Sequence, residues 1–176
     1  MKCKKNIIIT IIIVLSFLIA VVIWFAYKIH QNKQKSYTPD IYTREEVLQL
    51  YEDNKEQFKE VVDILANSEE FHEKGRVYEG DYPFLSNPYD KMQYFTEEDR
   101  IKLKEFFEHK PYMLTYRGQS VKITFINDKR SMAYTFLFWF GDDERFEEHL
   151  SYLRQNNYVE IIEDKIIIYE YVGNGQ

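Results

Sequence analysis

The stretch SMAYTFLFWF, residues 131–140, decides how this chain is read. In an extended strand successive side chains point to opposite faces. One face here carries Met132, Tyr134, Phe136, Phe138 and Phe140, and the other carries Ala133, Thr135, Leu137 and Trp139. Both faces turn apolar toward the end of the strand, whereas an antiparallel strand usually keeps one side for water. The pattern predicts a central strand whose second face is covered by a helix or by the loop 80–95. The competing expectation is an exposed aromatic patch that meets a partner or a second copy of the chain.

Working outward, the period stays at two on both sides of this strand. Residues 112–117 and 120–126 flank Gly118-Gln119, which reads as a two-residue hairpin turn. Val121, Ile123 and Phe125 alternate with Lys122 and Thr124, so this strand is expected to be half buried. A second hairpin joins 158–162 to 166–172 through Glu163-Asp164-Lys165, and a further short strand is expected near Val77.

Helical spacing takes over elsewhere. Thr43 followed by Glu46 is a capping box, and Tyr42 is placed to staple against Val47. Val47, Leu50, Tyr51, Phe58, Val61, Val62 and Leu65 then form one apolar face as far as Ala66. A second helix begins at the cap Thr96 and must stop by Lys110, because Pro111 follows. A third runs from about 142 to 155, with Asn156-Asn157 expected as a left-handed end. The order of elements predicts an α+β domain over 43–176, with about five antiparallel strands packed by about three helices. A helix laid across a curved antiparallel sheet resembles the cystatin-like folds in architecture. No motif carries that resemblance, so it transfers no residue.

The net charge of −6 hides two unlike segments. Residues 1–36 hold six lysines and no acid, while the rest holds 17 basic and 29 acidic side chains, a charge of −12. The stem reads as a basic tail over 1–6, an uncharged run over 7–27 and a polar tether over 28–42. At ~1.5 Å per residue the run would extend roughly 31 Å as a helix, enough to span a bilayer core. It is therefore expected to be an uncleaved, single-pass signal anchor in contact with lipid. Trp24, Tyr27 and Lys28 would serve as membrane-interface anchors. The lysine balance leans toward a cytoplasmic N-terminus with the acidic domain outside the cell membrane.

The chemistry of the domain is quiet. His72, His109 and His149 form no His-Glu-x-x-His pair, and no two lie four apart on a helix. His109 is placed as a cation suited to a helix end, and His149 as a hydrogen-bonded core residue. There is no Gly-x-Ser-x-Gly elbow, no glycine-rich phosphate loop and no cysteine beyond Cys3. No cofactor and no metal is expected. An acidic domain does not suit nucleic acid, so an electrostatic partner should be basic.

Binding residues are sought in the aromatic loop 80–95, whose Pro83 and Pro88 restrain Tyr82, Phe84, Tyr89 and Tyr94, and at Trp139. The expected function is a binding or accessory domain, sensor- or immunity-like, for a protein or peptide. The alternatives are a hydrolase-type enzyme with a motif-free carboxylate or histidine site, and a structural homo-oligomer.

Overall fold

Every backbone amide of the strand 132–139 has a partner on one side or the other, because it lies inside a sheet and not at its rim. In the computed structural model, residues 18–25, 27–28, 37–75, 82–127 and 132–172 are described. Seven strands form one sheet: β1 (Ile41–Tyr42), β2 (Phe84–Leu85), β3 (Met113–Tyr116), β4 (Ser120–Asn127), β5 (Met132–Trp139), β6 (Tyr158–Glu163) and β7 (Ile166–Val172). Their order is β2-β3-β4-β5-β7-β6, and β1 adds a short parallel pairing to the end of β4. All other pairings are antiparallel.

Five α-helices accompany the sheet: α1 (Arg44–Asp53), α2 (Lys55–Asn67), α3 (Glu69–Lys74), α4 (Glu97–Phe106) and α5 (Asp143–Asn156). The capping box at Thr43 and Glu46 is formed, and Thr96 caps α4 through Asp99. The single helix expected over 43–66 is divided at Asn54, whose φ of −129° leaves the helical region and whose side chain donates to the Leu50 carbonyl. Tyr42 is drawn into β1, where its ring meets Phe125 edge-on and its hydroxyl donates to the His109 carbonyl. Asn157 is extended at φ −140°, not left-handed, because the chain runs directly into β6. Asp164 and Lys165 turn the second hairpin, with Lys165 at φ 56°. The strand expected near Val77 lies outside the described residues.

The sheet's first face packs under α1, α2 and α4. Tyr51 stacks on Phe136 at 5.1 Å, Phe58 meets Phe136 edge-on at 5.3 Å, and Phe106 meets Phe58 at 5.0 Å. The second face of β5 is closed by α5, with Leu137 and Ile167 buried against Phe146, Leu150 and Leu153. The cover is a helix and not the loop 80–95. Phe136, Leu137 and Phe138 are thus buried, while Phe140, just past the strand, stands largely exposed.

The N-terminal expectation is corrected. The chain divides into compact units 1–37 and 38–176, and β1 of the second unit joins its sheet at residues 41–42. Among the described residues no helix is long and apolar enough to cross a membrane. The single-pass signal anchor over 7–27 therefore does not stand, and residues 7–17 and 26 of that expectation lie outside the described ones. Trp24 and Phe25 meet edge-on at 5.4 Å, and Lys28 lies 6.0 Å from the Trp24 ring.

Burial on both faces makes a direct prediction. Phe136→Ala should cost about 3–5 kcal/mol in urea unfolding, as large core truncations do. Phe140→Ala should stay within about 0.5 kcal/mol. Equal effects would mean that the strand is not the core element described.

Candidate functional site

Two places gather chemistry, one on the helical side and one on the sheet. The first is an open groove of about 690 Å³ between α2 and the start of α4. On α2, Glu56, Glu60 and Asp63 follow at i, i+4 and i+7, so they share one stripe about 10 Å long. Asp99 faces them from the first turn of α4, and Tyr94 and Phe95 line the groove from the segment just before it. Ser68 donates to the Tyr94 carbonyl at 3.0 Å and ties this rim to the end of α2. Both lysines in the groove are already engaged. Lys102 bridges Glu60 at 3.0 Å and Glu98 at 2.8 Å, which holds its ammonium above the ordinary lysine range. Lys59 reaches Glu163 at 3.5 Å. Glu56, Asp63 and Asp99 have no ion pair among the described residues. His109 lies below, with Nε2 2.7 Å from Gln57 Oε1. Burial lowers its pKa, which disfavours the charged form expected of it at a helix end.

The second place is the half of the sheet's second face that α5 does not reach, where Thr115, Ser120 and Thr124 are buried. The strand register sets Phe84, Thr115, Lys122 and Leu137 side by side across four strands. One step along, Ser120 pairs with Trp139, and the Arg117 amide donates to the Ser120 carbonyl at 2.8 Å. The Arg117 guanidinium lies 4.6 Å over the Tyr82 ring. Lys122 donates to the Tyr169 hydroxyl at 3.0 Å and has no acidic partner among the described residues. Burial, then the nearby Arg117 charge, pulls the Lys122 pKa down to about 8. Burial pushes the Tyr169 phenol up to about 12. His149 stacks on Trp139 at 5.5 Å with its Nε2 buried and unpartnered. Burial lowers its pKa, helped by Lys122 and Arg117. It is thus half-buried at the edge of the core and not hydrogen-bonded inside it as expected.

The aromatic residues singled out in the sequence do not form one site. Tyr82, Phe84 and Trp139 share the second face of the sheet, while Tyr94 lines the acidic groove. Tyr89 sits in a turn held by Asn87, whose side chain accepts from the Tyr89 and Asp90 amides, both at 2.9 Å. Phe84 is shielded by Lys91, 3.7 Å above its ring. Lys122, Arg117 and Thr115 escaped the sequence reading, because an alternating lysine on a strand reads as a wet face. His72 is half-buried, stacked on Tyr116 at 3.7 Å. Among the described residues no three His, Cys, Asp or Glu side chains gather as metal ligands. No protein family, curated protein or solved structure matches the chain.

A largely buried ammonium with one neutral partner should cost stability. Lys122→Met is therefore expected to raise Tm at pH 7 by ~2–4 °C, corresponding to about 1 kcal/mol. The folded pKa lies below the unfolded one, so the wild-type chain sheds this proton first and gains stability as pH rises above about 8. Calorimetry should show the variant's advantage narrowing over that range; a destabilised variant at pH 7 would contradict the assignment.

Proposed function

We propose that the acidic domain is a non-catalytic binding module, accessory, sensor- or immunity-like in role, that docks a basic segment of a protein or peptide in the groove between α2 and α4. The observation that carries this reading is the set of uncompensated carboxylates, Glu56, Asp63 and Asp99, beside lysines that are already paired. A domain charge of −12 draws cationic partners toward it at long range, and the groove gives them a place to stop. Lysine or arginine heads would meet the α2 stripe while an apolar side chain settles on Ile64 and Phe95. Tyr94, half-buried at the rim, supplies a ring face for a cation.

Fluorescence anisotropy with a labelled lysine-rich peptide tests the reading. Reversing two groove charges, Glu56→Lys with Asp63→Lys, should weaken binding about tenfold, a loss of ~1.4 kcal/mol. The affinity of the wild-type chain should fall as salt rises. The control reverses Glu144 and Glu147, both exposed on α5. If the control weakens binding as much as the groove variant, net charge alone is responsible and the groove is not the site.

A further inference from the structure

Helix α2 borders a second recess, about 280 Å³ in volume, between itself and the end of β5, beside the turn that joins β6 to β7. Val62, Phe138 and Ile166 give it apolar walls, and Phe140 stands at it 47% exposed. Two residues apart on α2, Val62 lines the recess and Ile64 the acidic groove, about 200° around the helix at ~100° per residue. Lys59 and Asp63 line both, so the two hollows lie on opposite flanks of one helical ridge.

The charges at the recess repeat the pattern of the groove. Asp63 and Asp164 border it with no ion pair among the described residues. Lys59 is held by Glu163 at 3.5 Å and Lys165 by Asp143 at 2.5 Å. An anionic guest would meet uncompensated carboxylates, and a second copy of the chain would bring a further domain charge of −12. A small hydrated cation would lose water against walls of valine, phenylalanine and isoleucine and gain little in return. The guest that suits both walls and rim is an apolar side chain carried on a cationic segment. The volume suits one large side chain and not a whole helix.

We propose that the basic segment docked in the groove crosses α2 and anchors a large apolar side chain, such as leucine, in this recess. Resting on the groove reading, this anchor adds the sequence pattern that the partner must carry. A helix with its side chains is ~10–12 Å across, which an extended segment covers in about four residues at ~3.3 Å each. One apolar side chain meets Phe140, and a cation lies over Asp63 at the ridge. A second apolar side chain, about four positions along, settles on Ile64 and Phe95. Phe140, left open where the central strand ends, thereby gains a partner.

Two labelled peptides of equal charge test this by fluorescence anisotropy on the full chain. One alternates lysine and glycine; in the other, two of the glycines, four positions apart, are leucine. The leucine peptide should bind about tenfold more tightly. Phe140→Ala should remove about fivefold of that gain, leave the affinity for the lysine-glycine peptide unchanged, and melt with the wild type. Tyr152→Ala removes a ring 62% exposed on α5 and should alter neither affinity. Equal binding of the two peptides, or a leucine gain that survives Phe140→Ala, would overturn the anchor and leave the groove reading standing. An equal loss in Tyr152→Ala would mean general adhesion to exposed rings and would overturn the anchor too. If Glu56→Lys with Asp63→Lys leaves the lysine-glycine peptide bound as before, the groove reading fails and the anchor with it.

Discussion

Phe136 and Leu137 are neighbours in the chain, point to opposite faces of one strand, and are both fully buried. That double burial is the constraint from which the architecture follows. A strand buried on both sides must have helices above and below it, and α2 and α5 answer each other across β5. It also fixes register. A slip by one residue would send Phe136 toward the leucines of α5 and Leu137 into the ring cluster of Tyr51 and Phe58, spoiling both cores at once. The hairpins on either side inherit that register, since β5 pairs with β4 along one edge and β7 along the other.

The two helical layers are unequal, and this inequality makes room for chemistry. On the first face α1, α2 and α4 supply rings across the sheet. On the second face α5 reaches only β5, β7 and, through Val159, β6. Over β3 and β4 the same face carries Thr115, Ser120, Lys122 and Thr124, residues too small or too polar to build a helix interface. Thr124 and Thr135 satisfy one another at 3.2 Å and need nothing further. Lys122 and Thr115 have no such mutual solution.

What could be read from the sequence was local or periodic. The capping box at Thr43, the cap at Thr96, both hairpins and the central strand are written in runs of a few residues, where spacing alone determines the outcome. Asn54 was not legible as a break, because one asparagine in a well-patterned apolar face costs little by propensity. The strands β1 and β2 are two residues each, too short to show a period, and exist only because β4 and β3 offer them an edge. Lys122 illustrates the deeper limit. Its alternation with Val121 and Ile123 is that of a solvated face, and its burial comes from Tyr169 and the residues around it, 47 positions further along the chain. The acidic groove was half legible: the stripe on α2 could be counted, but read as a solvated surface until α4 was set beside it. Length and hydropathy made the uncharged run near the N-terminus read as a span, whereas among the described residues no helix is long and apolar enough to cross a membrane.

Charge distribution gives these observations a common cause. Helices that pack by one stripe must place their remaining residues in water, and here those residues are mostly carboxylates at exposed positions such as Glu45, Glu52, Asp53 and Glu56. Acid is therefore carried by the helical exteriors, where hydration keeps its cost low. The half of the sheet's second face beyond α5 differs: there Lys122 sits half-buried among rings and hydroxyls, in a less polar setting where its charge interacts more strongly. A domain charge of −12 thus describes what is drawn toward the helices at long range. It does not describe the far side of the sheet, where Lys122 is half-buried beside the Tyr169 hydroxyl and carries no ion pair among the described residues. One fold in this way carries acid on its helical exteriors and a shielded lysine on the sheet, with the ring cluster between them.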